Sequence, residues 1–305
     1  MKLVQFTLLI LILSGSGSAQ KEGSELESAY ANLKAAEAKK DSAEVLKWST
    51  LTSEAAKKII QAPKGADQSA EEHKSAVDYA KQVDVYTEYS LYAAALGETD
   101  PQKVIRLTAA LEERNPKSQY LLQMMPQYTA SARQAGALPA AVATGERAYA
   151  RGQFNEDLLL LMADQAMTQK NFDKSVEYAG KTIELMQSQP KPEAISEADW
   201  TKKKNTTTGL AYWMQGMSLI NQNKLAASDK ALRAALPLIK DTEQLAGPAL
   251  FQLGMANYKM AQAKKNKAQA AEAVAFFRQA ASYKGNHAAQ AAKNVAVVQK
   301  EFAIR

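Results

Sequence analysis

No cysteine occurs in the 305-residue sequence, which excludes disulfides, thiolate metal sites, a lipid-modified terminal cysteine and a cysteine nucleophile. The two histidines, His73 and His287, lie far apart, so a shared metal or an acid/base pair is not expected of them. No Gly-rich phosphate loop, metal-binding helix or Gly-x-Ser-x-Gly elbow is present. The net charge of +6 is mild for this length, and the basic residues alternate with acids as in "EAKKDSAEVLK". A solvated helix face accounts for such alternation, whereas a nucleic-acid surface needs a concentrated basic stripe. Only "TKKKN" and "AKKNK" approach one.

What is abundant is alanine, 57 residues in all, beside only 14 glycines and nine prolines. Strong helix formers fill most of the remainder and β-branched alternation is nearly missing, so the chain reads as all-α. A single bundle of ordinary helices does not accommodate this length, which points to a repeated unit.

The N-terminus, "MKLVQFTLLILILSGSGSAQ", reads as a cleaved signal peptide over residues 1–19. Its apolar run is short of the ~20 residues that a membrane span requires, and Gly17 and Ala19 supply small residues before Gln20. Cleavage would leave residues 20–305 with a net charge of +5 and no integral membrane span, in the periplasm or outside the cell.

A recurring pattern emerges from the C-terminal end. "LFQLGMANYKMAQ" places Leu253 beside Gly254, and after a polar insert, "AKKNKAQ", comes "AVAFFRQAA" with Ala273, Phe277 and Ala280 at a four-then-three spacing. Upstream, Gly216 precedes Ser228, Leu232 and Ala235 at the same spacing, and Ala163 precedes Ser175, Ala179 and Thr182. Further copies contain Thr129 and Ala141, then Tyr92 with Val104, Thr108 and Leu111; Pro116 closes that last unit. In the first hairpin Ala31 and Ala43 are the expected small positions. The physical reason for the pattern is steric: small residues let two helices cross closely, and the large residue between them fills the gap.

With Leu-Gly on the first helix, Ala-x3-Phe-x2-Ala on the second, a closing proline and a 34-residue step from Thr129 to Ala163, the chain resembles the tetratricopeptide repeats over roughly residues 24–300. Other anchor steps are 37, 53 and 38 residues, Tyr92 to Thr129, Ala163 to Gly216 and Gly216 to Gly254. The resemblance implies a right-handed α-solenoid of about five to six antiparallel hairpins. Approximate units are 24–62, 69–116, 119–152, 155–187, 196–240 and 245–300, the last including a C-terminal cap helix. In the 53-residue step, Pro190 and Pro192 predict a loop, followed by a long helix from Ser196 to Asn221; a second long helix is expected from Ser69 to Leu96.

The resemblance further implies a non-catalytic scaffold that needs no cofactor, metal or nucleic acid and binds a protein or peptide along the groove of its first helices. Tyr86, Tyr89, Leu160, Asp164, Trp213, Met217, Phe251, Met255 and Tyr258 are the groove candidates, Trp213 and Phe251 foremost; the same spacing also fits inter-repeat core. Ala163, Gly216, Gly254, Ala273, Phe277 and Ala280 are structural positions. Two alternatives use other features: an enzyme or small-ligand site with a buried acid near residues 188–212, and a cell-wall or membrane-surface role for the two lysine clusters. Glu156 and Asp157 read as first-turn acids that complement a helix dipole.

Overall fold

The computed structural model describes residues 17–304, with side chains from residue 23 onward, so all but the last three residues of the expected leader lie outside it. Among the described residues there are thirteen helices and no strand. They run α1 (Gly17–Lys39), α2 (Ser42–Gln61), α3 (Ala70–Gly97), α4 (Pro101–Arg114), α5 (Gln119–Gln134), α6 (Leu138–Ala150), α7 (Glu156–Thr168), α8 (Phe172–Ser188), α9 (Glu197–Asn221), α10 (Leu225–Ile239), α11 (Glu243–Lys264), α12 (Lys267–Ser282) and α13 (Asn286–Phe302). None of the described helices is long and apolar enough to cross a membrane.

The chain divides into two compact units, residues 1–144 and 145–305, a division that the uniform composition does not reveal. Within the second, α7 to α13 touch only near neighbours: each helix packs on the next, and α7, α9, α11 and α13 also touch in sequence. In the first unit α1 to α5 have the same connectivity, with α1, α3 and α5 in successive contact. Contacts restricted to neighbours define an array of stacked hairpins. Each unit accordingly has serial core clusters, such as Leu232, Ile239 and Leu253 and then Ala273, Val274, Phe277 and Ala280.

The helix crossings explain the small residues. A Cβ added at Gly254 would stand 2.6 Å from the Phe277 ring, and one at Gly216 would stand 2.5 Å from Leu232 Cγ. Ser228 occupies the small position of that second crossing and donates a hydrogen bond of 2.8 Å to the Gly216 carbonyl. Ala163, Ala273, Phe277 and Ala280 are all completely buried. In the first hairpin the expected register is wrong, because Ala31 and Ala43 are exposed while Ala29, Ala36, Ser49 and Ala56 are buried. Alanine lies on both the buried and the exposed face of α1, and in α2 serine and threonine fill small buried positions beside Ala55 and Ala56, so residue type alone does not set the register.

The polar "AKKNKAQ" is likewise no insert. It forms the end of α11, a two-residue turn at Lys265 and Asn266, and the first turn of α12. Lysine, glutamine and alanine are good helix formers, so polarity there marks exposure and not a loop.

The turn itself repeats. Lys40, Gly136, Lys170, Asn223 and Lys265 adopt the left-handed conformation between the helices of five of the six pairs, α1–α2, α5–α6, α7–α8, α9–α10 and α11–α12. In each, the next residue's N–H reaches the carbonyl five residues back, as Asp41 does to Ala36 and Asn171 to Ala166, and the left-handed residue's N–H reaches the carbonyl three back. These are Schellman closures. Asp41, Asn171 and Asn266 then accept backbone N–H bonds from the helix that follows, so one residue closes a helix and caps the next. Non-glycine residues are strained in this conformation. Lys170→Gly should therefore raise stability by about 0.5 to 1 kcal/mol in urea melts, despite the added freedom of the unfolded chain.

The pair α3 and α4 turns differently. The Glu98 carboxylate accepts from the Ser42 hydroxyl at 2.5 Å and from the N–H groups of Asp100 and Thr99, with Lys103 at 3.5 Å. These donors, Ser42 first, hold the carboxyl down to about 2 from an ordinary value of 4.5. A carboxyl depressed by folding stabilises above its unfolded pKa, and that contribution is lost as pH falls from 4.5 toward 2. Wild type should lose about 1 kcal/mol more than Glu98→Gln over this interval, measured by urea titration at each pH.

Candidate protein-binding face

Helix α3 is long because it is well started and has no internal breaker. Ser69 and Glu72 form a reciprocal capping box, and the 28 residues that follow contain no proline. One side, with Ala80, Val83, Thr87, Leu91 and Ala95, is buried. On another lie Val85, Tyr89, Tyr92 and Leu96, which at 100° per residue share an arc of roughly 60°. Val85 is 53% exposed and Leu96 48%, unusual for large apolar side chains, and both tyrosines are half-buried.

Neighbouring first helices extend this stripe into a patch. Tyr92 stacks on Tyr120 of α5 at 5.3 Å between ring centroids, and Tyr89 meets Tyr120 edge-on at 5.9 Å. Toward α1, Tyr89 leans on Tyr86 at 5.8 Å, and Tyr86 meets Tyr30 edge-on at 5.6 Å. Aromatic pairs at these distances fix one another's orientation. Tyr86 is further tied down: its hydroxyl donates to Glu37 at 2.8 Å and accepts from Lys34 at 2.5 Å, while Ser90 donates to Glu37 at 2.6 Å. Burial and the Glu37 carboxylate push the Tyr86 phenol up to about 12. The charges of Lys34 and Glu37 are thus spent on each other and on Tyr86.

In the second unit the candidates are more enclosed. Trp213 is half-buried and donates its indole N–H to the Leu245 carbonyl at 3.2 Å, packing with Met217 against the core around Leu232 and Leu253. Phe251 lies 5.8 Å from the Phe277 ring. Helix α13 engages the other two: Asn294 donates to the Met255 sulfur, and Tyr258 donates to Glu301, which raises the Tyr258 phenol to about 12. Leu160 and Asp164 on α7 are half-buried.

The features invoked by the alternative readings fall elsewhere. Glu193, Glu197 and Asp199, the acids of segment 188–212, are exposed, and Trp200 is buried on α9. Lys203 of "TKKKN" pairs at 2.5 Å with the buried Glu156, so Glu156 serves as an anchor between α7 and α9 as well as a first-turn acid. Among the described residues no cluster of three metal-ligating side chains occurs. A recess of about 220 Å3 opens between α2 and α4, where Arg114 donates to Thr87 and Thr50 and where Lys57, Glu54 and Glu113 stand near one another. No residue pattern in the sequence marks it.

Val85 and Leu96 are equally unmarked in the sequence. Their spacing with Tyr89 and Tyr92 was visible, but aliphatic residues on a first helix read as core.

No protein-family model matches the chain, and no curated protein matches it. Among solved structures, it aligns with the crystal structure of the apo form of RapI over 92% of its own length and 71% of that chain, at 11% identity and a TM-score of 0.41. It also aligns with a structure from the computational design of self-assembling cyclic homo-oligomers, over 93% of itself and 94% of that chain, at 13% identity and a TM-score of 0.24. The chain's own helices define its class, an all-α array of hairpins within each unit.

Proposed function

We propose that this protein is an exported, non-catalytic scaffold of tetratricopeptide-like hairpins that holds a segment of another protein along its first helices. One observation carries the reading: Val85 and Leu96 stand half-exposed at either end of a row of tyrosine rings on α3, with α1 and α5 extending the row. Apolar side chains gain nothing from water there, and aromatic clusters of this kind supply large contact area at little entropic cost. The half-buried Leu160, Asp164 and Met217 belong to the corresponding helices of the second unit. The apolar stretch from Leu3 to Leu13, too short for a membrane span and followed by the small residues Gly17 and Ala19, supports a periplasmic or secreted location.

The test is co-purification from the native cell. Val85→Asp with Leu96→Asp should leave the thermal melt nearly unchanged, because both side chains are exposed, and should remove a partner that wild type retains. Retention of the same partner by the double variant would refute the assignment.

A further inference from the structure

Given this binding face, we infer that its occupant is an extended, uncharged, proline-rich segment in the polyproline II conformation. The inference rests on the reading above and starts from the phenol hydroxyls. Tyr86 spends its hydroxyl on Glu37 and Lys34. The hydroxyls of Tyr89, Tyr92 and Tyr120 make no hydrogen bond among the described residues, although their rings lie 5.3 to 6.4 Å apart and hold one another in place. Gln123, one turn beyond Tyr120 on α5, is exposed and adds an amide to the same side.

An occupant that covers these groups must replace the water they now bond, since an unpaired buried hydroxyl is costly. A helical partner spends its backbone carbonyls within itself and would present the tyrosines with side chains only. A polyproline II segment has no internal hydrogen bonds, so every carbonyl remains available to a phenol donor. Its pyrrolidine rings are flat, apolar and well matched to gaps between aromatic rings, and its stiffness lowers the entropy lost on binding. A β-strand would need a row of backbone partners, which a helical surface does not provide.

Charge and length agree. Lys34 is paired with Glu37, so the centre of the face contributes no unmatched charge, and a charged occupant would be desolvated without compensation. From Val85 to Leu96 the stripe rises about 17 Å, at 1.5 Å per residue. At 3.1 Å per residue, an extended segment of about five to six residues covers that distance.

The measurement is a calorimetric titration of the full chain with a proline decamer, beside an amphipathic helical peptide of similar length. Saturable binding of the decamer alone is expected. Tyr89→Phe and Tyr92→Phe, which retain the rings and remove only the hydroxyls, should each weaken it about threefold to tenfold. Absence of decamer binding, equal binding by the phenylalanine variants, or preference for the helical peptide would each overturn the inference. If the decamer fails while Val85→Asp with Leu96→Asp still abolishes co-purification of a partner, the extended segment is wrong and the face stands. If the double variant also changes nothing, both fall.

Discussion

Gly254→Leu is expected to lower the stability of the protein by about 1 to 3 kcal/mol, whereas Lys265→Leu, eleven residues away, should be nearly neutral. At Gly254 even a Cβ would lie 2.6 Å from the completely buried Phe277 ring, which Phe251 backs at 5.8 Å. The ring has no free space to retreat into, so the helices must separate. Leucine's better helix propensity returns less than 1 kcal/mol of this. Lys265 is exposed and already bears the strain of a left-handed backbone, so exchanging one branched or unbranched side chain for another there changes little. Denaturant melts of the two variants provide the comparison, and equal losses would show that the crossing is misplaced.

Phe277→Ala should cost more, about 3 to 5 kcal/mol, because it opens a cavity between α11 and α12 in the core that also holds Leu250, Val274 and Val298. The two substitutions should also interact. With the ring gone, the space that leucine at position 254 needs is partly free, so the double variant should be more stable than the sum of the single losses predicts. Strict additivity, measured by the same melts, would mean that Gly254 and Phe277 do not share a crossing.

Both residues were legible because they fit a pattern of size, small against large, that repeats along the chain. The same logic located Gly216 against Leu232, and capping chemistry located the start of α9, where Ser196 accepts from the Asp199 N–H as its sequence position suggests. Other features could not be read this way. The left-handed turns mostly use lysine or asparagine where sequence rules look for glycine, so the clearest marker of the hairpins passed unnoticed. Pro126, Pro237 and Pro248 lie inside helices, which limits proline as a boundary signal. Alanine on both faces of α1, and serine and threonine at the small buried positions of α2, concealed their register. The candidate face was half visible: Tyr86 and Tyr89 could be named from spacing, but burial decides that Tyr86 is tied into a polar network while Val85 beside it is open. Trp213 and Phe251 attract attention as large residues, and in the fold each touches a core cluster.

The central claim is that the α3 stripe is a partner site. It is tested most directly by placing a photo-crosslinking side chain at Leu96 in the native cell, with Val297 on α13 as a control of equal character, since the two are 48% and 50% exposed. The account predicts that one discrete protein is captured from position 96 and not from 297, with the crosslink mapping to a short uncharged segment of that protein. Capture of nothing from position 96, or of the same products from both positions, would contradict it.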